Sequence, residues 1–226
     1  MSYIFIGDVH RTDNWKDIVN EYKTNDSDVV VFLGDYVDSF DVPPELCLEN
    51  LSDIFAYTCS TPNVHMLVGN HDYHYMRHDS DRYSGYQHSW MKAYRSILLD
   101  NYNFLDMTYT FKDNNTNYVC SHAGVSQVFL DKHNTTVEEL NNLWKTNPSI
   151  FGFNHVAGDY YGEHPSQSPL WIRPGSLLNN AVKGYNQIVG HTMMDYTTTY
   201  YTMDNDRITI VCNRYSNDNF FLLQTD

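Results

Sequence analysis

The segment 28–34, DVVVFLG, constrains the fold more than any other part of the chain. Such a continuous apolar run is typical of a strand that is covered on both faces. Further apolar strands are predicted at 3–6 (YIFI) and 63–69 (NVHMLVG). Residues 12–25 and 43–59 lie between these strands and have helical periodicity, and the second helix opens with two prolines. Strands that alternate with helices predict a parallel sheet with right-handed crossovers, and therefore an α/β fold class.

The second half of the chain is richer in predicted strands. Helices are predicted at 86–99 and 136–144, and residues 107–122 have the pattern of a hairpin. Four more strands are predicted at 186–191, 198–204, 207–213 and 219–225. The chain has 226 residues, 42% of them hydrophobic, and no clear linker separates its halves. We therefore expect one domain over residues 1–226, in which two packed mixed sheets lie between helices.

The three predicted strands of the first half each end in a glycine that is followed by polar side chains. The motifs are GDVH at 7–10, GDYVD at 34–38 and GNHD at 69–72. Two later strands end in VCSH at 119–122 and VGH at 189–191. The carboxyl ends of strands in an open α/β sheet form the crevice where ligands bind, so we expect these side chains to meet there. The candidate ligands are Asp8, His10, Asp35, Asn70, His122 and His191.

Carboxylate, imidazole and amide ligands together suit divalent first-row metal ions. A single Gly-Asp after a strand is more often a turn, and a single histidine is more often a core or surface residue. Five strand ends with ligand-type residues favour a metal site over coincidence. Two ions about 3.5–4 Å apart, bridged by a carboxylate, form a clamp for phosphoryl transfer. No role is predicted for His65, His74, His78, His88, His133, His155 and His164.

The ordered motifs, which extend from Gly7 to Thr192, resemble those of the calcineurin-like metallophosphoesterases. The chain is most similar to the branch of phosphoprotein phosphatases and bacterial diadenosine tetraphosphatases. The resemblance implies a four-layer α/β/β/α sandwich with two divalent metal ions at the sheet edges. Manganese is the expected metal, and iron, zinc, nickel and magnesium are the alternatives.

The resemblance also implies a role for each motif residue. A hydroxide held between the two ions attacks phosphorus in line, His71 is the general acid, and Asp38 orients His71. A carboxylate neighbour raises the pKa of a histidine and fixes its tautomer. For Asp38 and His71, a capping or packing role is the alternative, and Asn70 is expected to contact substrate as well as metal. The implied metal ligands are Asp8 and His10 for one ion, Asp35 as the bridge, and Asn70, His122 and His191 for the second ion.

Three positions bear on the substrate. Phosphodiesterase members of the family place a histidine where this chain has Met193, so the chain is more similar to the phosphatase branch. The stretch PLWIRPG at 169–175 resembles the Leu-Trp-x-Arg segment of that branch and implies that Arg173 contacts phosphate; a surface arginine beside a turn is the alternative. That branch has Asp-Arg-Gly where this chain has DSF at 38–40, and we interpret Arg11 as a partial substitute for the missing arginine.

The net charge of −14 opposes binding to DNA or to an anionic membrane, so neither partner is expected. The four cysteines are too widely spaced for a zinc knuckle or a disulfide framework, and we expect reduced core residues. The first ten residues have the pattern of neither a signal peptide nor a membrane span. We therefore expect a cytoplasmic protein.

The expected function is hydrolysis of phosphate monoesters, with serine/threonine phosphoprotein as one substrate. The first alternative is hydrolysis of a dinucleoside polyphosphate or another nucleotide phosphoanhydride, which makes a phosphorylated protein or a nucleotide the expected partner. A phosphodiesterase is a lesser alternative, and so is a catalytically degenerate binding module, because no ligand is missing. Aromatic residues at 83–90 and 159–171 either line the substrate mouth or belong to ordinary packing.

Overall fold

The ligand motifs described above follow the carboxyl ends of strands. The structure is a computed structural model that describes residues 1–10, 13–39, 41–77, 83–213 and 219–225. Its strands are β1 (Ser2–Ile6), β2 (Val29–Phe32), β3 (Val64–Leu67), β4 (Leu105–Asp106), β5 (Tyr109–Asp113), β6 (Thr116–Ser121), β7 (Tyr185–Val189), β8 (Thr198–Tyr201), β9 (Arg207–Ile210) and β10 (Phe220–Gln224).

Helices alternate with the first three strands, and further along the chain helices and strands occur in groups. The α-helices are α1 (Trp15–Tyr22), α2 (Pro44–Ser60), α3 (Asn70–Met76), α4 (Met91–Asp100), α5 (Gln127–His133), α6 (Leu140–Thr146) and α7 (Pro174–Asn180). Short 3-10 helices span Tyr102–Phe104, Val137–Glu139 and Pro148–Phe151. Within the described ranges, no helix is both long and apolar enough to cross a membrane.

Two five-stranded mixed sheets are present among the described residues. The first has the order β10-β1-β2-β3-β4, with β1 to β4 parallel and β10 antiparallel to β1. The second has the order β5-β6-β7-β9-β8, in which β6, β7 and β9 are parallel and the two edge strands are antiparallel. The expected α/β class, with two packed mixed sheets flanked by helices, is therefore confirmed.

The two sheets pack face to face through apolar side chains. Phe5, Val31 and Leu33 from the first sheet share one buried cluster with Tyr118 and Ile188 from the second. A larger cluster lies between the first sheet and its helices. The interleaved side chains explain why β1 and β2 have no polar face in the sequence, since both of their faces are covered.

Several sequence expectations need correction. Helices α3, α5 and α7 and strand β4 were not predicted, because each is short and carries a weak apolar pattern. The helix predicted at 136–144 begins as a 3-10 turn, and the one predicted at 86–99 begins only at Met91. All four cysteines are free, as expected, but Cys59 is exposed rather than in the core.

Asp28 ties the start of β1 to the turn that precedes β2. It is 2% exposed, and its carboxylate accepts backbone N–H bonds from Ser2 at 2.8 Å, Asn25 at 3.0 Å and Thr24 at 3.1 Å. Burial raises the pKa of Asp28, but the hydrogen bonds from Ser2 and Asn25 outweigh it, so the pKa lies below its ordinary value.

A carboxylate with a lowered pKa stabilises the folded state at neutral pH and loses that contribution as the pH falls. We expect Asp28→Asn to lower the free energy of unfolding by about 1 kcal/mol at pH 7, because one acceptor oxygen is lost. The difference from wild type should shrink as the pH falls below about 4, where the unfolded carboxyl takes up its proton. Urea unfolding at several pH values measures this. Asp26→Asn, at an exposed carboxylate two residues away, is the control, and an equal effect there would contradict the assignment.

Candidate dinuclear metal centre

The structure brings all six candidate ligands to one edge of the two sheets. Two strands of the second sheet and three of the first contribute, so the centre lies where the carboxyl ends of both sheets meet. The residues are Asp8 and His10 after β1, Asp35 after β2, Asn70 at the first position of α3, His122 after β6 and His191 after β7.

Four ligand atoms converge in the half of the centre that contains Asn70. Asn70 Oδ1 lies 2.8 Å from His122 Nε2 and 2.9 Å from His191 Nδ1. The two imidazole nitrogens are 3.2 Å apart, and His122 Nε2 is 3.3 Å from Asp35 Oδ2. These four residues would hold one cation between them.

The other half of the centre contains Asp8 and His10. His10 Nε2 lies 3.4 Å from Asp35 Oδ2, so that Asp35 contacts both halves. One ligand atom from each of Asp8, Asp35 and His122 lies within 4.8 Å of the other two. Asp8 and His10 would hold the second cation, with Asp35 as the shared carboxylate.

Backbone carbonyls set the tautomers of two of the histidines. His122 Nδ1 is 2.8 Å from Leu33 O, and His10 Nδ1 is 2.8 Å from Val37 O. A carbonyl oxygen only accepts, so each Nδ1 must donate, and the lone pair of each neutral ring is on Nε2. Both Nε2 atoms face Asp35 Oδ2, which is itself an acceptor.

The fit of this donor set to cations rests on that arrangement. Carboxylate oxygens, an amide oxygen and the Nε2 lone pairs of neutral His10 and His122 face one another here. Burial lowers the pKa of His122, but the charge of Asp35 and its contact with the ring outweigh this and raise the pKa to about 9. A proton on His122 would thus relieve part of the repulsion, and divalent cations at the same place would relieve all of it.

Backbone geometry brings the carboxylates into position. Asp35, His10 and His191 have positive φ angles of 54°, 32° and 63°, in the sparsely populated left-handed region. A Cβ on Gly69 would lie 2.2 Å from Asp35 Oδ1, and one on Gly190 would lie 2.3 Å from Asp8 Oδ1. The glycines beside the ligand motifs therefore allow these carboxylates to approach the backbone closely.

Asp38 and His71 lie together beside the centre, as expected from the sequence. His71 Nδ1 is 3.1 Å from Asp38 Oδ2, and the backbone N–H of His71 donates to Asp35 Oδ1 at 2.9 Å. Burial lowers the pKa of His71, but the charge of Asp35 and the bond to Asp38 outweigh it, so the pKa lies above its ordinary value. Asp38 is 1% exposed, so its charge is screened little by solvent.

Asp38 has two further partners that the sequence did not reveal. His74 Nε2 lies 2.6 Å from Asp38 Oδ2, and Tyr75 Oη donates to Asp38 Oδ1 at 2.5 Å. Burial raises the pKa of Asp38, but the bonds from His71 and His74 outweigh it and keep the carboxyl ionised. No signal in the sequence marks His74 or Tyr75, because both belong to the short helix α3.

Asp72 is a second residue whose role was not predicted. It is fully buried and accepts backbone N–H bonds from Asp35 and Tyr36 at 2.9 Å each and from Gly69 at 2.8 Å. Burial and the charge of Asp35 raise the pKa of Asp72 to about 7. Its place at the third position of α3, after Gly69, is a helix-capping pattern that could have indicated this role.

Arg173 lies beside the centre, and two of its nitrogens bind protein groups. Nε donates to Tyr161 O at 2.9 Å, and Nη1 donates to Thr192 Oγ1 at 3.1 Å and to His191 O at 3.4 Å. No described residue accepts a hydrogen bond from Nη2. Arg173 therefore connects the segment 154–165 to the turn that carries His191. Arg11, the other predicted phosphate-binding arginine, lies outside the described residues.

A cavity of about 450 Å³ opens over the centre. One side is lined by the segment 154–165, which is organised by Asp159. The Asp159 carboxylate accepts bonds of 2.8 Å from the backbone N–H groups of Gly162 and His164 and from Gln167 Nε2. Burial raises the pKa of Asp159, but the hydrogen bonds from Gln167 and His164 outweigh it and lower the pKa to about 2.

Comparisons with known proteins agree with this geometry. The model of the calcineurin-like phosphoesterase family matches residues 1–210. None of the curated proteins matches the chain. The crystal structure of the cold-active protein-tyrosine phosphatase of a Shewanella species is similar, with a TM-score of 0.64, 16% identity and coverage of 99% of this chain and 75% of that one.

Two further solved structures have the same fold. A protein serine/threonine phosphatase from Saccharomyces cerevisiae, described as similar to human phosphatase PP5, has a TM-score of 0.53 and 14% identity, over 100% of this chain and 80% of that one. A putative diadenosine tetraphosphatase has a TM-score of 0.50 and 13% identity, over 94% and 83%. These likenesses concern the fold, whereas the family match extends over nearly the whole sequence. The chain therefore belongs to the calcineurin-like phosphoesterase family and is a phosphoric ester hydrolase.

Proposed function

We propose that the protein is a dinuclear metal-dependent phosphatase that hydrolyses phosphate monoesters. The observation that carries the proposal is the convergence of acceptor atoms from Asp35, Asn70, His122 and His191 within 2.8–3.3 Å. In a hydrolase of this family, that set of lone pairs is best explained as the ligand set of cations. Two bound divalent cations would supply Lewis acidity, which stabilises charge on phosphate oxygens and lowers the pKa of water.

His71 is proposed as the general acid for the ester oxygen. Its Nδ1 is bound to Asp38, so the exchangeable proton is on Nε2, and the residue lines the cavity beside Asp35. Asp38 orients the ring and stabilises its protonated form. His74 and Tyr75 in turn hold Asp38 in place. This chain of contacts supports the assignment of His71 as a proton donor beside the proposed metal centre.

Arg173 is proposed to contact a phosphate oxygen through Nη2. Because Nε and Nη1 bind Tyr161 and the 191–192 turn, the contact would use this one nitrogen. Manganese is the proposed metal, as the mixed oxygen and nitrogen ligand set suits it.

We expect Asp35→Asn to lose metal binding and turnover together, because Asp35 contacts both halves of the centre. His71→Asn should retain two metal ions and lose about 10²–10⁴-fold in kcat, the usual contribution of a general acid. Elemental analysis of the purified variants and initial rates with Mn²⁺ measure both effects. Asp195→Asn, at an exposed carboxylate outside the cavity, is the control. A His71→Asn protein that lacks metal, or an Asp35→Asn protein with full activity, would refute the assigned roles.

The general-acid role also makes a prediction about the leaving group. A good leaving group such as para-nitrophenolate needs little protonation, whereas an alkoxide needs a full proton. The loss of kcat in His71→Asn should therefore be at least about tenfold larger for an alkyl phosphate than for para-nitrophenyl phosphate. Rates on the two esters with wild type and variant test this. His133→Asn, on α5 and away from the cavity, is the control, and equal losses on both esters would leave His71 without a proton-transfer role.

A further inference from the structure

The cavity has an aromatic wall that begins at the proposed metal centre. We define the wall as Tyr83, Phe153 and Trp171, which all line the cavity. The Trp171 ring centroid is 4.1 Å from that of Tyr83 and 5.4 Å from that of Phe153. It is also 6.0 Å from the ring of His191, in an edge-to-face arrangement. Aromatic surface therefore continues directly from a proposed metal ligand to the mouth of the cavity.

The rings of the wall are packed against other side chains of the protein. Trp171 is 6% exposed, and the Tyr83 ring stacks at 5.7 Å on that of His74, the partner of Asp38. Tyr83 and Phe153 are only half-buried, which leaves part of each ring open to the cavity. An aromatic surface favours a ring as the group that it contacts.

Charge limits what else can occupy this part of the cavity. Arg173 is the single arginine or lysine among the described residues that line it, and two of its nitrogens are engaged. Asp8, Asp35 and Asp159 also line the cavity, and the whole chain has a net charge of −14. Among the residues that the structure describes at the cavity, Arg173 alone offers a permanent positive charge to further phosphates beyond the reacting one. The group attached to the reacting phosphate should therefore be uncharged near the ester bond.

We propose that the preferred substrates are aryl phosphate monoesters, whose ring lies against the wall of Tyr83, Phe153 and Trp171. This inference rests on the proposed phosphatase activity and names its substrate class. Water forms the new P–O bond, and the bond between phosphorus and the aryl oxygen breaks with its electron pair on that oxygen. The oxygen then takes up a proton, so that one water is consumed and the products are inorganic phosphate and a phenol.

The position of the wall favours a substrate whose ring is close to phosphorus. The wall meets the centre at His191, so a ring joined to phosphorus through one oxygen lies within its reach. In a nucleotide the base is separated from phosphorus by the sugar, and in a dinucleoside polyphosphate by further phosphates as well. Two exposed tyrosines, Tyr160 and Tyr161, also line the cavity and extend its aromatic surface. They would contact the substrate atoms next to the aryl ring.

The test compares phenyl phosphate with cyclohexyl phosphate, which has a ring of similar size without π-electrons. Leaving-group reactivity belongs to the substrates, so it cancels when the ratio of kcat/KM values is compared between wild type and variants. We expect the phenyl-to-cyclohexyl ratio to fall about three- to tenfold in Phe153→Leu and in Tyr83→Leu, mostly through KM. Phe153→Tyr, which keeps a ring, should retain the wild-type ratio.

Two controls separate ring recognition from general damage. Phe104→Leu makes the same change at a partly exposed phenylalanine outside the cavity, and its ratio should equal that of wild type. Thermal unfolding midpoints identify any variant that has lost its fold. A phenyl-to-cyclohexyl ratio that stays unchanged in both folded wall variants would overturn the proposal. In that case, hydrolysis of cyclohexyl phosphate by the wild type would still support the phosphatase activity.

Further substrates test which kind of compound carries the preferred aryl group. Free phosphotyrosine and a phosphotyrosyl peptide are compared with phosphoserine and with diadenosine tetraphosphate, all with Mn²⁺-loaded protein. The proposal predicts a higher kcat/KM for either phosphotyrosine compound than for phosphoserine. Because the aryl ester also has the better leaving group, the proposal predicts further that this ratio falls in Phe153→Leu, and the better of the two compounds shows whether a free or a peptide-borne ring is preferred. Higher kcat/KM for diadenosine tetraphosphate or phosphoserine would overturn it. Absence of hydrolysis of every ester would instead refute the phosphatase activity on which the proposal rests.

Discussion

Repulsion between lone pairs at the ends of five strands is the constraint on which the rest of the site depends. Leu33 and Val37, on either side of Asp35, each offer a carbonyl to the Nδ1 of a histidine from a different strand. The short turn after β2 therefore sets the tautomer of His122 and of His10, and it also supplies the carboxylate that both rings face. Through one turn, the backbone of the first sheet aims ligands from both sheets at the same point. Any cation bound there acts between groups that are already oriented.

The sequence was sufficient for the strands of the centre, because β1 and β2 are buried on both faces and appear as continuous apolar runs, and the run of β3 is interrupted only by the half-buried His65. The ligand motifs follow these runs directly, which made the candidate set predictable as a group. Helix α3 was not predicted because its sequence, NHDYHYM, is polar in composition and is buried only by tertiary contacts. For the same reason His74 and Tyr75 had no recognisable role before their partners were known. The sequence also did not predict which sheet β10 joins, because the pattern of a strand does not identify the strand that pairs with it.

The wall of the cavity illustrates a second limit of sequence reasoning. Tyr83 and Trp171 lie in the segments 83–90 and 159–171, whose aromatic residues were compatible with packing as well as with a substrate mouth, whereas no prediction was made for Phe153. In the structure Trp171 contacts both other rings and His191, and all three aromatic residues line the cavity. Asp159 and Arg173 fix the adjoining segment of the cavity through backbone groups, so polar residues in an irregular segment replace the regular hydrogen bonds of a helix or strand.

The antiparallel pairing of β1 with β10 joins Ser2 to Gln224 and Ile6 to Phe220. Closing so long a loop costs entropy that grows only with the logarithm of its length, so the thermodynamic penalty is modest. The kinetic consequence is larger, because contacts of high sequence separation form late. During synthesis on the ribosome, β1 keeps one unpaired edge until almost every other element has emerged. Over that interval the nascent chain presents a template for intermolecular strand pairing, and chaperone protection matters most there.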